Sequence, residues 1–188
     1  MKFAEFENLE TDRLALRKMT PEDAKPYFAY LASSEAVTRY MLFSPQQDIT
    51  EAEESVKKAL ARYESKMAHR WVLDLPGVGF IGVIDLLRFD PENNSCSFAY
   101  MSGENWWGKG YGTEAVKAVF GFAFEKMELS FIEVDHMAEN PASGAVMRKA
   151  GMTYLRTEKN CYEKNGKYHD ACVYRINRQS WEAEKSAG

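Results

Sequence analysis

Trp106-Trp107-Gly108-Lys109-Gly110-Tyr111-Gly112-Thr113-Glu114-Ala115 decides how this chain is read. Three glycines fall at alternate positions, and a long apolar-periodic run follows at once. That pattern predicts a turn feeding a helix. Glycine lets the backbone adopt φ > 0 and approach a ligand closely. The first helical turn carries N–H groups without intrahelical partners, and its dipole favours an anion. The stretch therefore suits a pyrophosphate; a tight turn without a ligand is the alternative. Two nucleotide patterns fail. Gly110 is followed by Tyr111-Gly112 and not by the Lys-Ser/Thr of a Walker A loop, and Thr113 stands where a dinucleotide fingerprint needs its third glycine.

A second stretch lies downstream. Asn140-Pro141-Ala142-Ser143 follows the apolar segment Phe131–Met137, and a short helical run closes at Lys149-Ala150-Gly151-Met152. Together the two stretches resemble the signatures of the GNAT superfamily of acetyl-CoA-dependent N-acetyltransferases. The first signature, Arg/Gln-x-x-Gly-x-Gly/Ala, is matched by Trp107 to Gly112 except at its first position. The second, an Asn after a strand and then a short helix, is matched by Asn140 to Met152. The opening Thr11-Asp12-Arg13-Leu14, Leu16-Arg17 and Glu22-Asp23-Ala24 are similar to the branch of ribosomal-protein-alanine N-acetyltransferases (RimJ/RimL type). The resemblance runs from Leu9 to Arg178.

Composition agrees with one domain over residues 1–188, with a core at 9–178 and a polar tail at 182–188: 45% of the residues are hydrophobic. The net charge of −4 offers no basic surface for nucleic acid or an anionic membrane. Cys96, Cys161 and Cys172 are odd in number and widely spaced, so neither a disulfide framework nor a metal site is expected. His69, His136 and His169 are equally scattered. No signal peptide or membrane span is expected, and a reducing cytoplasm is the default. The oligomeric state, monomer or homodimer, stays open.

In chain order, Leu9 to Met19 alternates as a strand, and Thr20-Pro21 opens a helix with Ala24, Tyr27, Phe28 and Leu31 on one stripe. Glu35–Tyr40 is a short helix before the loop Met41–Pro45. Thr50-Glu51-Ala52-Glu53 fits a capping box, and Ala52, Val56, Ala59, Leu60, Tyr63 and Met67 continue one helical face. Arg70–Asp74, Gly79–Phe89 and Ser95–Met101 form an antiparallel meander. The helix after the glycines buries Val116, Val119, Phe120, Ala123 and Met127. Asn165-Gly166 joins the strands Thr153–Glu163 and Lys167–Asn177 in a hairpin. The order predicts a mixed α/β (α+β) fold with a twisted sheet of about seven strands flanked by helices. The resemblance adds a splay between the two central parallel strands, into which pantetheine fits.

The same resemblance implies acetyl-CoA as cosubstrate, an amine acceptor (a protein N-terminus or a small molecule) and direct attack in a ternary complex. It assigns donor binding to Gly108, Lys109, Gly110, Tyr111, Gly112 and Thr113, with Met101, Ser102 and Gly103 along the arm. A backbone N–H near Met101 would polarise the carbonyl. Asn140 would bond the pantetheine, though it also suits a helix cap. Two positions depart. Trp107 replaces the usual Arg/Gln, and Met147 stands where many members carry a Tyr that protonates the thiolate. In the branch resembled, a Ser at the position of Ser143 takes that part. Glu104, Asp85 and His136 are the candidates for the base, with Glu104 preferred. A catalytically weak acyl-CoA-binding module, or a transferase using another acyl-CoA, is the alternative.

Overall fold

The computed structural model describes residues 2–65 and 69–187. Met67, expected at the end of a helical stripe, and Gly188 lie outside them.

Among the described residues, eight strands form a single sheet: β1 (Leu9–Glu10), β2 (Ala15–Lys18), β3 (His69–Leu75), β4 (Gly79–Asp90), β5 (Ser95–Ser102), β6 (Phe131–Met137), β7 (Thr153–Lys164) and β8 (Lys167–Asn177). Their spatial order is β1-β2-β3-β4-β5-β6-β8-β7. The strand expected across Leu9–Met19 is two short strands, because the chain turns at Thr11 to Leu14 and pairs Leu9 with Leu16. That turn supplies the eighth strand.

Every neighbouring pair is antiparallel except β5 and β6, which run parallel. These two pair only at Ser95 with Phe131 and Cys96 with Ile132. From Ser97 onward they separate, so the sheet is splayed at its centre. The backbone groups facing that gap are left for something other than the neighbouring strand.

Helices cover both faces. On one, α4 (Tyr111–Gly121, continued by a wide π-type turn at Phe122–Lys126) and α5 (Pro141–Lys149) cover the larger core. Val116, Val119, Phe120, Ala123 and Met127 are buried there, as the periodicity requires. On the other face, α1 (Ala24–Tyr27, with a π-type turn at Phe28–Ala32), α2 (Glu35–Thr38) and α3 (Ile49–Ser65) cover Val72, Phe80 and Val83.

Helix α3 starts earlier than expected. Asp48 Oδ1 accepts the Thr50 N–H at 2.8 Å, and Glu51 Oε1 reaches back to the Asp48 N–H at 3.3 Å. The box is therefore Asp48-x-x-Glu51, not one built on Thr50.

The polar tail is a helix, α6 (Arg178–Ala187). It is fixed by Trp181, whose ring lies 5.3 Å from that of Phe124, and by Lys185 on Glu125 at 2.5 Å. One aromatic anchor outweighs a polar composition.

Candidate active site at the splay

The glycine turn sits at the end of β5, ahead of α4. Gly108 and Gly110 both lie at positive φ, +73° and +87°, and Gly110 is the residue that caps α4. The opening motif of the chain braces this turn. Thr11 Oγ1 donates to Glu114 Oε1 at 2.6 Å, and Arg13 Nε donates to Glu114 Oε2 at 2.7 Å. Arg13 also donates to the Lys109 carbonyl at 3.1 Å and lies 4.6 Å from the Tyr111 ring centre. Burial alone would raise the Glu114 carboxyl, but the bonds from Thr11 and Arg13 win and hold it below the usual range. The first turn of α4 is thus fixed from outside, with its own N–H groups free to meet an anion.

Trp107 does not stand idle at the departing position. Its indole N–H donates to the Ser102 carbonyl at 2.7 Å, tying the turn to the end of β5. The backbone of β5 alternates in which neighbour it faces. Gly103 N–H donates to the Ile81 carbonyl at 3.0 Å, and Met101, two residues earlier, shares that orientation toward β4. A Cβ on Gly82 would lie 2.4 Å from the Met101 carbonyl oxygen, in keeping with that direction. Ser102 faces the splay. By the same alternation the backbone N–H groups of Tyr100 and Ser102, on either side of the expected Met101, face the gap.

A cavity of about 590 Å³ follows. Met101, Ser102, Gly108, Gly110, Tyr111, Gly112, Thr113, Asn140 and Ser143 line it. Gly103 and Lys109 do not: Gly103 packs under the Trp106 ring, and Lys109 contributes its carbonyl to Arg13. A second cavity of about 200 Å³ occupies the gap itself. Tyr40, Met41, Tyr100, Asn140 and Ser143 line both.

Asn140 caps α5, its Oδ1 accepting the Ser143 N–H at 3.3 Å. That bond fixes the first turn and leaves the amide nitrogen as a donor. Tyr100 borders both cavities with Ser143; burial pushes its phenol above the ordinary value, and the Ser143 side chain pulls it part of the way back. Tyr100 escaped the sequence reading. It is one more alternating residue of β5, and only the splay gives its face a meaning. Met147 is buried in the core.

The three candidate bases fare differently. Glu104 is exposed in a short turn, lines neither cavity, and accepts from Ser34 Oγ at 2.7 Å. Asp85 is buried in a two-pronged pair with Arg70, at 2.6 and 2.9 Å, and also lines neither. His136 borders the second cavity, but its Nδ1–H donates to the Met137 carbonyl at 2.7 Å. Its Nε2 is buried without a partner against α5, where a Cβ on Gly144 would lie 2.8 Å away. Among the described residues no cluster of three His, Cys, Asp or Glu could hold a metal ion. No described helix is long and apolar enough to cross a membrane.

Residues 13–153 match the model of the acetyltransferase (GNAT) domain family. The chain belongs to the GNAT acetyltransferase family. The acetyltransferase is 28% identical over 172 residues to the uncharacterized N-acetyltransferase YoaA of Bacillus subtilis, covering 91% of this chain and 97% of that one. Two solved structures share its fold. RimL, a ribosomal α-N-protein acetyltransferase in complex with coenzyme A, superposes with TM-score 0.82 at 20% identity, covering 91% of this chain and 98% of that one. Spermidine N-acetyltransferase from Vibrio cholerae, in complex with CoA and spermine, gives 0.79 at 19%, covering 92% and 99%.

Whether the glycine turn holds acetyl-CoA can be tested apart from the chemistry. A β-branched residue at the φ of Gly110 is strained, and its Cβ would lie 3.3 Å from Arg13. Gly110→Val is expected to raise the acetyl-CoA dissociation constant about tenfold, equivalent to about 1.4 kcal/mol, by calorimetry. Equal affinity would remove the turn from the binding site.

Proposed function

We propose that this acetyltransferase moves the acetyl group of acetyl-CoA directly onto a primary amine within a ternary complex. The observation that carries this is the two cavities that meet in the splay, with Asn140, Ser143 and Tyr100 lining both. The larger cavity, with the glycine turn and the Ser102 amide, is the donor side. The smaller is the acceptor side. Lys109 adds positive charge near the phosphates. The amine nitrogen attacks the thioester carbonyl, the C–N bond forms, and the C–S bond breaks. A hydroxyl of Ser143 beside the sulfur gives the departing thiolate a hydrogen bond.

The acceptor is a protein N-terminal α-amine or a small amine. An α-amine titrates near 7.7–8.0, so roughly a tenth is neutral at pH 7, whereas a lysine-type amine near 10.4 is almost wholly charged. The first needs little help with its proton and the second needs a real base. A reducing cytoplasm fits the free cysteines, of which Cys161 is exposed.

The test is release of free thiol from acetyl-CoA in the presence of amines and N-terminal peptides. Release that rises with added amine is the expected result. Tight acetyl-CoA binding with no amine-dependent release would favour the acyl-CoA-binding module that Trp107 and Met147 permit.

A further inference from the structure

Two irregularities of the sheet converge on one carboxylate. The β4–β5 register shifts between Leu87 and Asp90, and Arg88 there takes φ +51°. The β7–β8 register shifts between Glu158 and Tyr162, with Asn160 at φ +54°. Bulges of this kind re-aim side chains and cluster beside active sites. Here both aim at Asp135 on β6. The Tyr162 hydroxyl donates to Asp135 Oδ1, and Arg88 Nη1 lies 3.7 Å from Oδ2. Asp135, Tyr162 and Arg88 all border the second cavity, as does Ser143.

We infer that Asp135 is the acceptor-site carboxylate: it binds the ammonium group of the incoming amine and takes its proton before attack on the thioester. This rests on the acetyl-transfer reading above and adds the acceptor's chemistry, a cationic primary amine on a compact apolar stem. The cavity's size, about 200 Å³, and its walls of Met41, Leu42, Leu87 and Val134 select that stem.

The carboxylate is suited to this work. Burial raises its carboxyl above the ordinary range, against the pull of Arg88. The groups facing it are Arg88 from β4, Glu133 and His136 from β6, and Glu158, Cys161 and Tyr162 from β7. Arg88 does not neutralise it: the contact is long, and the Arg88 side chain is 63% exposed against 32% for Asp135. Tyr162 occupies one acceptor position and leaves the others for an ammonium group. The cavity's roof is fixed as well, since Lys164 of β7 donates to the Thr38 and Met41 carbonyls at 2.7 and 2.5 Å. The balance is simple. R–NH3⁺ gives a proton to the Asp135 carboxylate, and the freed nitrogen pair forms the C–N bond. The C–S pair leaves on sulfur, the acylated nitrogen gives up its second proton, which balances the one the thiolate takes up, and the Asp135 proton passes to solvent.

The experiment measures thiol release with a panel of butylamine, benzylamine, spermidine and peptides beginning in Ala or Ser. Acetyl-CoA calorimetry runs in parallel on each variant. Asp135→Asn should lower kcat/KM for the best panel amine about a hundredfold, with acetyl-CoA affinity unchanged. Tyr162→Phe keeps the carboxylate but removes the bond that stabilises its charge, so the acidic limb of its kcat–pH profile should move to higher pH. Asp135→Asn within about twofold of the parent would overturn the inference, because a general base contributes far more. So would an unmoved limb in Tyr162→Phe. A parent protein that binds acetyl-CoA but turns over none of the amines would overturn this acceptor class and leave donor binding standing. One that does not bind acetyl-CoA at all would overturn the acetyl-transfer reading itself.

Discussion

Arg70→Met is expected to cost the fold about 3–5 kcal/mol, the range for stranding one partner of a buried pair. Arg70 and Asp85 stand opposite each other on β3 and β4. Their side chains are only 16% and 8% exposed. Burial would lower the guanidinium's pKa, yet the Asp85 charge and its two hydrogen bonds keep it raised. Removing Arg70 leaves a carboxylate under α1 and α3 with little water to solvate it. Urea unfolding should show the loss in its midpoint, and the melting temperature should fall by roughly 6–20 °C for a chain this long. The double variant Arg70→Met with Asp85→Leu should recover most of the stability, since an apolar pair of similar volume is often neutral or better. It should also keep amine-dependent thiol release, because neither residue borders either of the two cavities at the splay. A loss below about 1 kcal/mol in the single variant would mean that the pair is hydrated like a surface ion pair.

The same pair shows where sequence reading stops. The glycine turn and Asn140-Pro141-Ala142-Ser143 were legible because each rests on local chemistry: positive φ, a helix start, a cap. Their meeting at a splayed sheet followed from resemblance, and the break after Cys96 and Ile132 is what the register displays. Asp85 had the right type on the right strand, and nothing in its neighbours in sequence marks its partner fifteen residues away on β3. Glu104 had the right place in sequence beside the turn, but its backbone turns it to Ser34. Asp135 and Tyr100 passed unread for the opposite reason. An Asp in an alternating strand is ordinarily a solvated residue, and only two bulges elsewhere in the chain bring Tyr162 and Arg88 onto it.

Ser143→Ala is expected to lower kcat by roughly ten- to a thousand-fold with acetyl-CoA affinity nearly unchanged, the range for losing one acid or oxyanion donor. Ser143 sits in the first turn of α5, its N–H held by Asn140, and borders both cavities. A free thiol has a pKa near 8.5, so a thiolate is a modest leaving group that one hydrogen bond assists without being indispensable. Met147, one turn on, is buried and donates nothing. Tyr100 lines the same two cavities as Ser143, which changes the expectation from a lone donor to a pair. With Ser143 removed, Tyr100 still lines both cavities, so the single loss should fall toward the lower end of the range. Tyr100→Phe alone should cost less, because Ser143 stays. The double variant should lose more than the product of the two single losses, since each hydroxyl covers for the other. Tyr162 is no substitute acid, because its hydroxyl is committed to Asp135. If kcat in Ser143→Ala stays within about twofold while chemistry limits the rate, Ser143 is only a helix residue, and Tyr100 becomes the donor to the sulfur.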